Sequence, residues 1–412
     1  MIFVDANRRR PGGENVEGIE RRESVVIPTG HHTMSYSTIR SLSSAGVHTI
    51  VATECEDVPV AASRFCDEVV SVPSPYEDLV AFKDRLVALT ERPDVRTILP
   101  IRPMDPYVFS KYLSEFEDHA SLVVPPFETI KVVHDRVELA EAAVDADVPV
   151  PETRSLVDVD DWDEPVIVKA RYNLLADEYV ESYSPRDSQI IKRLIHLEPG
   201  DEVDREEVID EMSHVPIVQQ FVPSAGQYVF GALYDHGEAV ATFQHRQIRA
   251  KSYTGGGGVY RKSIANPELE TVGRRLLDRL DWHGLACVEF IEDATTGEFK
   301  LLELNPRLWM SIPTAIRAGA DFPRYYWLQA MGRTEQIDPD YEIGVGTHLL
   351  YGELGYIMSI FGDESPLVDT PSVSRTLWEI CRSTLEMPYF DYLRFDDPLP
   401  FVRAVRHVLR SE

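Results

Sequence analysis

Glu289 and Glu303 stand in two apolar runs, Leu285-Ala286-Cys287-Val288-Glu289-Phe290-Ile291 and Phe299-Lys300-Leu301-Leu302-Glu303-Leu304-Asn305-Pro306-Arg307, joined through Asp293-Ala294-Thr295-Thr296-Gly297. Aliphatic and aromatic flanks around a cluster of turn formers predict a hairpin. Side chains alternate along a strand, so Glu289 shares a face with Cys287 and Ile291, and Glu303 with Asn305. A hairpin folded about Thr295 and Thr296 sets Glu289 opposite or diagonal to Glu303. Carboxylates that close, in apolar strands, repel each other unless a proton or a cation lies between them. Mg²⁺ suits such a site, being a hard cation commonly held by one or two carboxylates and the phosphates of a nucleotide. Asn305 adds a neutral oxygen, and Arg307 a fork for phosphate or carboxylate. Two glutamates on the wet face of an ordinary hairpin is the simpler reading, but it leaves the following Asn-Pro-Arg without a purpose.

A further charge of interest is Lys169, at the end of Pro165-Val166-Ile167-Val168. A lysine on a buried strand is costly unless paired, and a phosphate is a natural partner. The plainer alternative is a lysine emerging at a strand edge.

Glu289 together with Glu303-Leu304-Asn305-Pro306-Arg307-Leu308-Trp309 resembles the metal-binding end of the ATP-grasp family, whose pattern is a glutamate on one strand and Glu-x-Asn on the next. The resemblance runs over roughly residues 24–335 and is most specific at 285–309. It implies an α/β and α+β chain, an ATP-grasp fold preceded by a Rossmann-like parallel-sheet domain. The activity it implies is ATP- and Mg²⁺-dependent joining of a small-molecule carboxylate to an amine through an acyl phosphate, with Mn²⁺ as an alternative metal. Glu289, Glu303 and Asn305 would hold the metal, and Lys169 and Arg136 would reach the nucleotide phosphates, Arg136 standing where many members carry lysine. Gln219, Gln220, Phe221 and Val222 would form the hinge beside the adenine, with Gln220 where glutamate is more usual. Arg246 or Arg307 would neutralise charge during phosphoryl transfer, and no general base is identifiable. Many members follow the lysine with a Gly-rich loop, whereas here Ala170-Arg171-Tyr172-Asn173 follows and the next glycine is Gly200. Arg171 is expected to substitute by charge. That departure, with Gln220, keeps a non-catalytic nucleotide-binding module open. Bicarbonate activation in the manner of biotin carboxylases is another alternative, although no biotin-carrier segment is recognisable.

Composition narrows the partners. The 412 residues carry 69 acidic and 41 basic side chains, a formal charge of -28, and the bases are 33 Arg to 8 Lys. Such a surface repels nucleic acid and anionic membranes. Dense carboxylates with scarce lysine also resemble the proteins of salt-loving archaea, whose cytoplasmic salt screens the self-repulsion. The four cysteines are dispersed, with no zinc-like spacing, so free thiols in a reducing compartment are expected. No secretory or membrane-spanning run is evident, which predicts a soluble, cytoplasmic protein, and a homodimer is left open.

The chain is too long for one ordinary core. A polar leader is expected at 1–23, a parallel α/β domain at 24–126, the ATP-grasp domain at 127–335 and a helical region at 336–412. In the first of these domains, strands at 25–28, 47–52, 68–72, 97–100 and 121–124 alternate with helices at 36–44, 79–90 and 106–116, and Pro125-Pro126 closes it. A single Gly30 is far from a dinucleotide fingerprint. His31 and His32 fall at the first strand's carboxyl end, where an exposed loop pair is the plainer reading than ligand contact. Residues 228–234 and 238–244 predict a hairpin across Asp235-His236-Gly237. Arg246 and Arg249 would then fall on opposite faces of the same strand, Arg246 being the one assigned to the cleft. Gly255 to Gly258 should be a mobile loop that closes over substrate or simply connects. Trp327 and Trp378 are expected to serve packing.

Overall fold

A computed structural model describes residues 22–411; the expected leader falls, apart from its last two residues, outside the described residues. Three sheets organise the chain. In the first, β1 (Ser24–Pro28), β2 (His48–Thr53), β3 (Glu68–Ser71) and β4 (Val95–Ile98) are parallel in the order β3-β2-β1-β4. All five residues of β1 are buried, as a parallel strand covered on both faces requires. Residues 121–124 were expected to add a strand; Ser121 N–H donates to the Arg96 carbonyl of β4 (2.9 Å), but the Tyr326 hydroxyl then intervenes, accepting from Val123 N–H (3.2 Å) and donating to the Ile98 carbonyl (2.9 Å), and no strand is formed. The expected helix at 106–116 is broken at Tyr112 into Asp105–Lys111 and Leu113–Glu117.

The second sheet is smaller and antiparallel. Its strands β5 (Thr153–Ser155), β6 (Val166–Lys169), β7 (Leu194–Leu197) and β8 (Ile217–Gln220) run in the order β5-β8-β6-β7. The helix Arg205–Met212 covers it, with Val208 and Met212 buried against Val168 and Val218.

The third sheet carries the carboxylates. It orders β13 (Phe299–Asn305), β12 (Gly284–Asp293), β9 (Ser224–Asp235), β10 (Glu238–Ser252), β11 (Gly255–Ile264) and β14 (Gly346–His348). β9 and β10 meet through the expected hairpin, whose His236 and Gly237 both have positive φ (44° and 81°), the backbone a two-residue turn of this kind demands. One face packs on the amphipathic helix Pro267–Arg279 through Phe230, Val288 and Phe290. The other packs, through Val229, Leu233 and Cys287, on Trp309 and Ile312 and so on the first sheet's core.

The glycine run is not a loop. Gly255–Gly258 open β11, pairing Gly255 with Ser252 and Gly258 with Ala250. A Cβ on Gly258 would lie 2.7 Å from Gln247 Oε1, and one on Gly257 would strike the Met310 methyl. The glycines admit close approach of neighbouring side chains, the other use to which such residues are put in strands. Beyond β14 come the helices Leu350–Gly362, Val373–Glu386 and Leu399–Ser411. Trp327 is buried as expected, whereas Trp378 is 58% exposed with Arg382 over its ring. No helix among the described residues is long and apolar enough to cross a membrane.

Candidate active site

The register of β12 against β13 pairs Glu289 directly with Glu303, and Cys287 with Asn305. A β-bulge follows at once, so that Phe290 pairs with Leu301; such irregularities re-aim side chains at functional edges. Burial first, then the facing Glu303, raises the Glu289 carboxyl well above its ordinary value. Burial alone would raise Glu303 too, but Arg136 and the Asn305 amide hold it below its ordinary value. The two carboxyls are thus pushed in opposite directions, Glu289 up and Glu303 down.

Four neighbours complete the pair. Asn305 Nδ2 donates to Glu303 Oε1 (2.7 Å), while its Oδ1 accepts from Arg307 Nη2 (3.2 Å). Arg136, at the start of the helix Arg136–Asp145, donates Nη1 to the Ala170 carbonyl (2.8 Å) and Nη2 to Glu303 Oε2 (3.3 Å). Lys169 ends β6 facing both carboxylates. Its ammonium makes no hydrogen bond or ion pair with any described residue, and burial followed by the Arg136 charge pushes it down to about 7. Nε of Arg136 and Nε of Arg307 are buried without a partner. A site that gathers one lysine and two arginines with spare donors around two glutamates fits a divalent cation carrying phosphate oxygens.

The hinge segment is β8 and its exit. Gln219 is buried, its amide donating to Thr153 Oγ1 (2.9 Å), and the N–H groups of Gln220 and Phe221 donate to the carbonyls of Glu152 (2.8 Å) and Pro165 (3.0 Å). Val222 is buried and Phe221 half-buried. β8 pairs with β6, which holds Gln220 beside Val166 and the strand that delivers Lys169.

Two expectations need correction. Arg246 pairs with Tyr228, one residue out of phase with the Val229 that pairs with Glu289. It therefore lies on the sheet's opposite face, over the Tyr228 ring (5.6 Å) and donating to the Ala225 carbonyl (2.9 Å). Arg249 does not replace it, being buried against Glu353 (2.8 and 3.0 Å) and Ser383 (2.6 Å). Arg171, expected to stand in for a phosphate loop, is held by Asp135 through Nε and Nη2 (2.9 and 2.6 Å). The segment after Lys169 instead docks on the first sheet, with Leu174 and Ala176 buried in its core and Asp177 paired to Lys111 (2.8 Å).

On the wall opposite, sequence reasoning singled out His32, more readily as an exposed loop residue than as a ligand contact, and passed over Glu54 and Arg102; His32 is half-buried. Arg307 acts electrostatically on His32 and Asp105 as well as on Glu289 and Glu303. Burial, then Arg102 and Arg307, push His32 down to about 3, so it is neutral. Arg102 is 1% exposed and donates to Glu54 (2.6 Å), leaving Nε and Nη1 without partners. His32, Glu54 and Arg102 all follow the carboxyl ends of parallel strands, the usual binding edge of such a sheet. That position was the available signal.

No protein-family model matches the chain, and no curated protein matches it in sequence. Solved structures do match. The chain superposes on the ADP complex of PurK, an N5-carboxyaminoimidazole ribonucleotide synthetase, with a TM-score of 0.59 at 16% identity, over 87% of this chain and 96% of that one. The biotin carboxylase domain of Hydrogenobacter thermophilus 2-oxoglutarate carboxylase, a dimer with MgADP, ADP and bicarbonate, gives 0.59 at 14% over 78% and 73%. An L-amino acid ligase from Bacillus licheniformis gives 0.58 at 15% over 79% of both chains. The chain has the ATP-grasp fold. With that fold the β12–β13 carboxylates and Lys169 line the space between the two antiparallel sheets, facing the first sheet's binding edge.

Proposed function

We propose that the protein is an ATP-dependent ligase that joins a carboxylate to an amine through an acyl phosphate, with Mg²⁺ or Mn²⁺ held by Glu289, Glu303 and Asn305. The observation that carries this reading is the directly opposed Glu289–Glu303 pair beside Lys169, whose ammonium forms no hydrogen bond or ion pair with any described residue. The metal, when bound, supplies positive charge to the phosphates during transfer. Lys169 and Arg136 bind phosphate oxygens, and the ammonium regains its proton as it does so. The exit of β8, at Gln220 to Val222, takes the adenine. Arg307, bonded to Asn305 and close to both walls, orients the substrate carboxylate and balances the charge of the acyl phosphate. Nucleophilic displacement by the amine then releases phosphate. The structural similarities to a carboxyaminoimidazole synthetase, a biotin carboxylase domain and an amino acid ligase support this class of chemistry, and two of those neighbours were solved with ADP. Bicarbonate is the second candidate for the acid activated, since the Hydrogenobacter domain holds it beside MgADP.

The test is ADP release by the purified protein with Mg²⁺ and ATP, supplied with pools of amino acids, organic acids, amines and bicarbonate. Dependence on one pool, lost in a folded Glu303→Gln variant, is the expected result. Full turnover in that variant refutes the metal assignment. ATP binding without ADP from any pool replaces the ligase with a nucleotide-binding module.

A further inference from the structure

A second cavity lies away from the carboxylates. About 460 Å³ in volume, it sits between the helix Met34–Ser44, the helix Ile312–Ala318, the start of Phe322–Ala330 and Arg394, within the size range of small-molecule sites. Four guanidiniums line it, those of Arg40, Arg317, Arg324 and Arg394, against the single carboxylate of Asp321.

Ion pairs are scarce among these four guanidiniums, although the chain carries 69 acidic residues to 41 basic ones. Arg40 has one, donating to Asp396 (2.5 Å). The side chains of Arg317, Arg324 and Arg394 form no ion pair and no hydrogen bond with any described residue. The Arg317 guanidinium carbon sits over the Tyr389 ring, 3.9 Å from its centroid. Nε of Arg394 and Nη1 of Arg40 are buried without a partner. Asp321 offers little relief, because both its oxygens accept from Ser41 (2.6 and 2.7 Å) and one also accepts the Arg324 N–H (3.3 Å). Burial, then Arg40, and to a lesser extent Arg317, lower the Arg394 pKa, and the opposing charge of Asp391 does not offset them.

Clustered guanidiniums with spare donors match oxyanions that offer several oxygens at once. We propose that this cavity binds a small multivalent oxyanion, a polycarboxylate or a phosphorylated metabolite, at a site distinct from the nucleotide cleft. The inference stands independently of the ligase reading.

Isothermal titration of the full chain with citrate and with pyrophosphate, in Mg²⁺-free buffer at an ionic strength fixed by NaCl, tests it. At least one probe should bind saturably at one site. Affinity should fall by about tenfold or more per guanidinium removed in Arg317→Gln/Arg394→Gln and stay unchanged in Lys169→Gln. A response to citrate alone identifies a polycarboxylate ligand, and a response to pyrophosphate alone a phosphorylated one. Binding of neither probe, or binding lost in Lys169→Gln and kept in the arginine double variant, overturns the proposal. Should the double variant not fold, Arg324→Gln, at an exposed position, must weaken binding severalfold; unchanged affinity there is equally fatal.

Discussion

Lys169→Met isolates the cost of keeping an ammonium in the interior without an ion-pair partner. In the folded protein the ammonium titrates at about 7, against an ordinary 10.5, because burial and Arg136 disfavour its charged form. Between those two values the unfolded chain holds a proton that the native state has lost, so native stability rises with pH across that window. Linkage puts the penalty at about 4 kcal/mol at pH 7 and about 2 kcal/mol at pH 9, so this one group should add about 2 kcal/mol to wild-type stability over that climb. Glu289 works in the opposite sense, since a carboxyl raised in the native state loses stability as pH rises above the usual carboxylate range. Because Lys169 is one of the charges acting on Glu289, both proteins are compared in a Glu289→Gln background, where that contribution is absent. Methionine keeps the length and removes the charge, so the variant should be the more stable protein at pH 7, with the advantage shrinking by about 2 kcal/mol by pH 9. Denaturant unfolding at the two pH values gives both numbers. Parallel stability profiles in the two proteins would refute the claim that the ammonium is buried unpaired. Lys169→Met by itself should bind MgADP about ten- to a hundredfold more weakly, which separates a site poised for phosphate from a lysine merely misplaced.

Other expectations concern the frame around the site. Gly231→Ala would set a Cβ 2.5 Å from Cζ2 of the buried Trp309 ring; an indole cannot yield as a methionine can, so a loss of about 1–3 kcal/mol or more is expected in thermal or chemical unfolding. Glu353→Ala strands the Arg249 guanidinium, 7% exposed, and removes the His348 partner (2.7 Å). It should cost about 3–5 kcal/mol by the same assay. Arg246→Ala, on the face away from the carboxylates, should change stability by less than about 1 kcal/mol and leave ADP release intact; a collapse of turnover would return Arg246 to the cleft.

The opposition of the two glutamates was legible because its information is local. Alternation and a turn cluster are enough to oppose Glu289 and Glu303, and the apolar run before Lys169 is enough to make it a buried strand's last residue. The parallel character of the first sheet, though not its strand order, followed from alternating strand and helix patterns for the same reason. Arg246 could not be placed that way. Its alternation with Arg249 was readable, but which face of β10 meets the cleft depends on the register with β9 and on the bulge beyond Gln247, both set by distant strands. The glycine run misled because conformational freedom and close approach leave the same trace in a sequence, and only Met310 and Gln247 distinguish them.

The sequence by itself determined the ligand types, their spacing along two strands and the overall class of fold, all properties of residues within one hairpin or one strand–helix unit. Tertiary structure alone decided which charges go unpaired. Lys169 lacks a partner, Arg171 has Asp135, and four arginines share a cavity with one carboxylate. An ion pair depends on distances of a few ångströms between segments far apart in the chain, and a Coulomb interaction has no period along a sequence from which it could be read.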